Sequence, residues 1–294
     1  MTNRLFTFGC SFTNSRWPTW ADIVGRQYDV YENWGQAGAG NSFIFYSLME
    51  CHKRNKLTKD DTVMIMWSSI GREDRYVRGE WIAPGSIYNQ TVYNEDFVEN
   101  LTDPTGYLLR DAAHLAGAKS ILTSIGCPFW FFSIVPLNVP DDNIFKIFDI
   151  DNKILKVYAE EFNSVLPSIY EVIFNHDWYS RVGYRNLVQL GEEYNQLRGQ
   201  AWPTWKEFTQ QNFVNVPANV IDEINNIYEF SNRYLYRTDT HPLPTEHLEY
   251  LDKVASEIEI DQSTRDWATD ITTAIVEHKD LKPLWKPNLK PKRF

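Results

Sequence analysis

A serine near the start of the chain and a histidine near its end are residue types that cooperate in nucleophilic catalysis. Ser11 comes just after the apolar run Leu5-Phe6-Thr7-Phe8, so we expect it at the turn that ends a short strand. His241 lies two residues after Asp239, and a neighbouring carboxylate can orient an imidazole and stabilise its charged form. These residue types make Ser11 a candidate nucleophile, His241 a candidate general base and Asp239 a candidate for orienting this base.

Other interpretations of these residues stay open at this point. Ser11 is also compatible with a capping or turn serine, and the Asp239–His241 segment with a polar surface turn. A further alternative is a metal site formed by Asp239, His241 and His247. No other Cys or His is clustered near them, which argues against metal, and the predicted mechanism needs no cofactor.

Short β-prone runs alternate with amphipathic segments along the first half of the chain. After the first run, we predict strands at Tyr28–Tyr31, Val63–Trp67 and Trp130–Val135, and a helix over about 105–124. This alternation predicts an α/β fold, with a short parallel sheet in a three-layer α/β/α sandwich.

Three polar or glycine-rich segments directly follow predicted strands. They are Gly9-Cys10-Ser11, the Gly35–Asn41 loop and Trp67-Ser68-Ser69. Because parallel strands end at the same edge of a sheet, we expect these segments to converge on one site.

Together these segments resemble the blocks of the SGNH (GDSL-like) hydrolase family. The family's Gly-Asp-Ser block is matched by Gly9-Cys10-Ser11, with Cys in place of Asp, and its Asn-x-Gly-x-x-Gly loop by residues Asn33 to Gly38. Its Asp-x-x-His-Pro block is matched by Asp239-Thr240-His241-Pro242, which is one residue shorter. The continuation to His247 is similar to phage-encoded and bacterial members. The resemblance covers roughly residues 1–135 and 236–258.

The resemblance implies a serine esterase with an SGNH/flavodoxin-like fold, in which the N–H groups of Ser11 and Gly38 receive the oxyanion. The family adds an Asn side chain after the third strand, and the segment from Trp67 has none. We expect Asn41 to supply the missing donor, with the Ser69 hydroxyl as the alternative. Asn41 is equally compatible with a helix N-cap, and Ser69 with a turn serine.

We therefore expect hydrolysis of a small-molecule or carbohydrate acyl ester. The carbohydrate follows from a tendency of the family and from the many aromatic residues: 11 Trp, 16 Tyr and 17 Phe. The alternative function is a catalytically degenerate relative, a structural or binding protein such as a virion component. The missing Asn favours this alternative.

The charge and composition of the chain limit the classes of partner that it can bind. A net charge of −10 disfavours nucleic acid and anionic membranes as partners. The chain has no apolar run of membrane-spanning length, and its N-terminus lacks the apolar region of a signal peptide. We expect a cytoplasmic protein, or one that leaves the cell within a virion.

We expect one domain over residues 1–280, with a mainly helical insertion at about 136–236. Residues 281–294 form a basic, proline-rich tail that we expect to pack on the body or to reach a protein partner. The charged segment Arg72–Arg75 is compatible with binding a polar substrate or with a solvated loop of salt bridges.

Overall fold

The structure is a computed structural model that describes residues 3–85, 87, 92–137, 152–173, 241–277 and 279–286. Its strands are β1 (Arg4–Phe8), β2 (Val30–Asn33), β3 (Asp61–Trp67), β4 (Arg75–Val77), β5 (Glu80–Ile82) and β6 (Phe129–Ser133). Its helices are α1 (Trp20–Gly25), α2 (Asn41–Asn55), α3 (Glu95–Leu101), α4 (Pro104–Ile125), α5 (Asn152–Val157), α6 (Ala159–Asn163), α7 (Ile169–Val172), α8 (Pro244–Val254) and α9 (Gln262–Val276).

Four strands form a parallel sheet in the order β2-β1-β3-β6. All seven residues of β3 are buried, as expected for a central parallel strand whose two faces are both covered. The prediction of an α/β fold with a parallel sheet is confirmed. The second strand begins two residues later than expected, because Gln27 and Tyr28 donate backbone hydrogen bonds to Val24 and Gly25 and so continue the turn that ends α1.

The helices around the sheet form two sets that pack among themselves. In one set α1 packs against α8, which also contacts α7 and α9; in the other α2 packs against α4, and α4 against α6. Phe132 of β6 contacts Trp20 of α1 and Tyr250 of α8, with ring centroids 5.1 and 5.9 Å apart, so this side chain lies on the face that the first set covers.

The strand order locates the crevice in which ligands bind in open parallel sheets. From β1 the chain moves to β2 on one side, and from β2 it moves back past β1 to β3. The order therefore reverses between β1 and β3, and the carboxyl ends of these two strands flank a topological switch point. Ser11 follows the first of these strands, and Ser68 and Ser69 follow the other.

The last described part of the chain packs back on the body. Leu281 and Trp285 pack against a small buried cluster that includes Trp17, and the Trp267 indole donates a hydrogen bond to the Leu284 carbonyl at 2.9 Å. Residues 281–286 of the tail thus pack on the rest of the fold, while residues 287–294 lie outside the described residues.

Most of the predicted insertion, residues 138–151 and 174–240, also lies outside the described residues; residues 152–173 contain α5, α6 and α7. Across the described helices, none combines the length and the hydropathy that crossing a bilayer requires.

Candidate active site

Ser11 lies in a tight turn directly after β1. The Cys10 carbonyl accepts hydrogen bonds from the N–H groups of Thr13 and Asn14, both at 3.0 Å, which closes the turn around Ser11. Gly9 allows this turn, because a Cβ there would lie 2.0 Å from the Thr13 hydroxyl oxygen. Ser11 is 9% exposed, so its side chain sits in a largely enclosed position at the sheet edge.

The loop after β2 is locked to the serine turn. The Asn33 side chain donates to the Thr13 carbonyl at 2.7 Å and accepts from the N–H of Gly35 at 3.0 Å. The Asn14 side chain donates to the Gly35 carbonyl at 2.9 Å. These bonds hold the two loops as one unit, so the expected convergence of the first two segments is confirmed.

Gly38 occupies a position that only glycine fits. It has φ of +79° and lies inside a turn closed by a 3.0 Å hydrogen bond from the N–H of Ala39 to the carbonyl of Gln36. A Cβ on Gly38 would lie 2.1 Å from the Ala83 carbonyl oxygen, which follows β5. The N–H groups of Gly38 and Ser11 have no acceptor among the described residues.

The histidine segment contacts the serine turn. The rings of His241 and Phe12 lie 4.8 Å apart between centroids, and the Trp17 indole donates to the Pro242 carbonyl at 2.9 Å. The structure thus brings His241 against the residue next to Ser11, although 230 positions separate the two in the sequence. Asp239, the predicted orienting residue, lies outside the described residues.

His247 is buried in the first turns of α8. It is 0% exposed, and neither of its ring nitrogens has a hydrogen-bond partner among the described residues. Burial, and secondarily the neighbouring His241, lower the pKa of His247 from 6.5 to about 3.

The described residues contain no group of three metal-ligating side chains, and Asp239 of the alternative metal set is outside them.

Asn41 is not placed as expected. One amide hydrogen goes to the Ser68 carbonyl at 3.0 Å, the other to the Asp111 carboxylate at 2.7 Å, and the amide oxygen accepts from the N–H of Ser68 at 2.7 Å. No amide hydrogen is left for an oxyanion, because a primary amide has only two. Nor does Asn41 cap α2: Gly40 is the N-cap residue and Asn41 is the first residue in the helix.

The two serines after β3 differ in accessibility. Ser68 is 0% exposed, and its hydroxyl has no partner among the described residues. Ser69 is partly exposed, and its hydroxyl oxygen accepts from the N–H of Gly71 at 3.3 Å. Because a hydroxyl both donates and accepts, this bond leaves the hydrogen of Ser69 available for another acceptor.

The charged segment after β3 contains a partly exposed salt bridge, between Glu73 and Arg75 at 3.2 Å. It also contains a set of contacts made by Arg72 and Asp74, which we call the clasp. The buried Asp74 carboxylate accepts from the N–H groups of Gly40 and Phe43 at 2.8 and 2.9 Å, and so caps α2 from a distant loop. Burial raises the pKa of Asp74. Arg72 adds a 2.9 Å bond to the Ala39 carbonyl. The clasp fixes the residues that directly follow Gly38.

A second carboxylate that the sequence analysis missed lies behind the same edge. Asp111 of α4 is buried and accepts hydrogen bonds from Asn41 and from the Arg110 guanidinium, both at 2.7 Å. Burial raises the pKa of Asp111 to about 6, against the opposing effect of Arg110. The only sequence signal was an acid at a position of α4 that the helical pattern turns inward.

Of three comparisons with known proteins, only the one with solved structures found a similar protein. Neither a family model nor a curated protein matches the sequence. Among solved structures, a member of the lipolytic protein G-D-S-L family from Veillonella parvula DSM 2008 is similar, with 16% sequence identity and a TM-score of 0.35. The match covers 61% of this chain and 85% of that one.

Proposed function

We propose that this protein is a serine esterase in which Ser11 is the nucleophile and His241 the general base. The observation that carries the proposal is the contact between the two loops: His241 packs on Phe12 at 4.8 Å, and Trp17 fastens Pro242 at 2.9 Å. The contact lies beside the topological switch point, where α/β proteins bind their ligands.

In the proposed reaction, His241 takes the proton of the Ser11 hydroxyl as its oxygen attacks the ester carbonyl carbon. The tetrahedral intermediate then collapses, and His241 returns the proton to the departing alcohol. Water, deprotonated by the same imidazole, attacks the acyl-enzyme and releases the acid and free Ser11. Asp239 is proposed to orient His241.

The oxyanion is proposed to lie between the N–H groups of Ser11 and Gly38. Neither group has an acceptor among the described residues, and the glycine turn is held from both sides. Because Asn41 has no hydrogen to spare, Ser69 becomes the proposed side-chain donor. The hydroxyl is shorter than an amide, so it suits an oxyanion close to the end of β3.

The wider proposal is an SGNH-type hydrolase, built as a three-layer α/β/α sandwich in one domain with a helical insertion. The residues that support it are the Gly9–Ser11 turn, the Asn33–Gly38 loop and the His241-Pro242 pair, in the family's order and at one sheet edge. An acyl ester is the proposed substrate.

Hydrolysis of 4-nitrophenyl acetate tests the assignment. Ser11→Ala and His241→Asn should each lower kcat/KM by at least about 10³-fold, because both groups act on the reacting atoms. Ser69→Ala should lower it by about 10²-fold as the loss of one oxyanion donor. Asn100→Ala, an exposed residue on α3, should retain the wild-type rate. Wild-type turnover by Ser11→Ala would exclude Ser11 as nucleophile.

The second candidate is a protein that keeps this architecture and binds a ligand without hydrolysing it. The engagement of both Asn41 amide hydrogens favours it, because no amide side chain serves the oxyanion. Binding without catalysis predicts that wild type and Ser11→Ala hydrolyse the ester equally slowly.

A further inference from the structure

The turn that carries Ser69 is held on both sides of this residue by side chains from two helices. The Asn41 amide of α2 accepts from the N–H of Ser68 at 2.7 Å and donates to the Ser68 carbonyl at 3.0 Å. The Arg110 guanidinium of α4 donates to the Ile70 carbonyl at 3.4 Å. Both backbone neighbours of Ser69 are therefore fixed. We call these contacts of Asn41 and Arg110 the brace.

The two side chains of the brace are joined through one buried carboxylate. Asp111 accepts from the Asn41 amide and from Nε of Arg110, both at 2.7 Å. The Nη2 atom of Arg110 that serves Ile70 also donates to the Arg72 carbonyl, at 3.1 Å. Because hydrogen bonds between a guanidinium and a carboxylate are strong and directional, Asp111 sets the direction in which Arg110 presents its remaining donors. The turn, α2 and α4 are thus held together as one unit.

Ser69 is the open position in a buried segment. Ser68 and Ile70 are 0% and 2% exposed, whereas Ser69 is partly exposed. The Ser69 hydroxyl oxygen accepts from the N–H of Gly71 at 3.3 Å, so the hydroxyl hydrogen stays available to an acceptor. A donor on a fixed backbone suits oxyanion stabilisation, because it needs no rearrangement when charge develops.

The braced turn leaves the sheet beside the serine turn. The strands β1 and β3 pair in parallel, and a Cβ on Gly9 would lie 3.0 Å from the Met66 carbonyl oxygen. Ser11 follows Gly9 by two residues, and Ser69 follows Met66 by three. The two segments therefore start in contact at the topological switch point.

We propose that Arg110 is a positioning residue which, opposite Asn41, holds the Ser69 hydroxyl at the oxyanion of the proposed esterase. The inference rests on the proposed function, because the brace has this role only if an oxyanion forms beside Ser11. Arg110 acts through the backbone that follows Ser69, and it makes no contact with the substrate itself.

Arg110→Lys tests the proposal at a small cost to the fold. A lysine keeps a positive charge beside Asp111, but its single ammonium lacks the fork of donors that serves a carboxylate and two carbonyls at once. With 4-nitrophenyl acetate, kcat should fall about tenfold at an unchanged KM, because an oxyanion donor acts only in the transition state. The matched control is Arg265→Lys on α9, which should keep the wild-type rate. Arg265 likewise pairs with a carboxylate, that of Asp252, and donates to a backbone carbonyl, that of Ile260.

The same substitution in a Ser69→Ala background separates positioning from a general effect on the fold. If Arg110 acts through Ser69, Arg110→Lys should lower kcat by less than about twofold in that background. An equal tenfold loss in both backgrounds, or no loss in either, would overturn the proposal. Wild-type turnover by Ser69→Ala would also overturn it and, together with an inactive Ser11→Ala, would leave the esterase in place.

Hydrogen exchange tests the brace without a substrate and so separates it from the proposed function. The Gly71 amide is bonded to the Ser69 hydroxyl, so its exchange rate reports the position of that side chain. Arg110→Lys should speed this exchange at least about threefold, and Arg265→Lys should leave it unchanged. Unchanged exchange in Arg110→Lys of an active esterase would reject the positioning role and retain the esterase. Faster exchange in a protein whose wild type and Ser11→Ala hydrolyse the ester equally would reject the esterase, and with it the catalytic role of the brace.

Discussion

At the scale of single residues, the amide of Asn41 is enclosed by three hydrogen bonds to Ser68 and Asp111. Asn41→Ala should lower the free energy of unfolding by about 2–4 kcal/mol, because it leaves two backbone groups and a buried carboxylate without their partner. Urea denaturation should show a lower midpoint with an unchanged m-value.

The matched control is Asn100→Ala, whose amide donates to the Asp96 carbonyl at 2.9 Å on the exposed face of α3. That variant should stay within about 0.5 kcal/mol of wild type. Asn41→Asp should be worse than Asn41→Ala, since it places a second carboxylate against Asp111. An Asn41→Ala protein as stable as the control, but catalytically impaired, would restore Asn41 as an oxyanion donor.

His247 predicts a pH dependence of stability. Its pKa is about 3 in the folded protein against 6.5 ordinarily, so between these values the unfolded chain binds a proton that the folded protein does not. The free energy of unfolding should fall on acidification through this window, by at most about 1.4 kcal/mol per pH unit from this group. Asp22 and Asp111, with pKa values raised to about 6, act in the opposite direction above pH 3.8.

The contribution of His247 is obtained by measuring the free energy of unfolding at several pH values, by heat or urea, for wild type and for a variant without this histidine. His247→Leu should lose less stability than wild type between pH 6.5 and pH 3. His114→Leu should show the same sign down to about pH 4, where burial places the pKa of His114. Identical slopes for wild type and His247→Leu would contradict the buried, uncharged state of His247.

At the scale of elements, the β4–β5 hairpin is the feature that the sequence analysis missed. Arg78 and Gly79 both have positive φ, 54° and 89°, as the two central residues of a tight hairpin turn require. The Arg78-Gly79 pair was the available signal, but only the preceding Arg72–Arg75 segment was interpreted, as a substrate contact or a solvated loop. The buried role of Asp74 could not be predicted, because its partners Gly40 and Phe43 lie over thirty positions away.

Asp74 predicts a coupling between the hairpin and α2. Asp74→Ala should speed hydrogen exchange at the amides of Gly40 and Phe43 by at least about tenfold, because both lose their acceptor. Asp103→Ala is the matched control, since Asp103 caps its own helix by accepting from Thr105 at 2.8 Å. Unchanged exchange at Gly40 and Phe43 would show that the clasp does not hold α2.

At the scale of the whole molecule, apolar runs and strand-to-loop transitions were sufficient to predict the parallel sheet and the edge where the loops meet. The fully apolar segment Val63–Trp67 forms the last five residues of the buried strand β3, and the helix expected over about 105–124 is α4. These elements could be predicted locally, because a strand buried on both faces is a continuous apolar run and a helix repeats its apolar residues at helical spacing, and both patterns are visible within a short stretch of sequence.

Contacts between distant segments were not predictable in the same way. The engagement of Asn41 with Asp111 and the seating of Gly38 against Ala83 each depend on how two elements pack, which no local pattern encodes. The sequence therefore predicted which loops form the candidate site. The choice between Asn41 and Ser69 as side-chain donor required the hydrogen bonds that Asn41 makes in the folded protein.

The central claim, that Ser11 is an activated nucleophile beside His241, is tested most directly by fluorophosphonate labelling followed by intact mass and peptide mapping. We predict one adduct per chain, located on Ser11, absent from Ser11→Ala and formed at least about 10²-fold more slowly by His241→Asn. Asn100→Ala should label like wild type. An unlabelled wild-type chain, or equal labelling of wild type and Ser11→Ala, would contradict the proposed esterase.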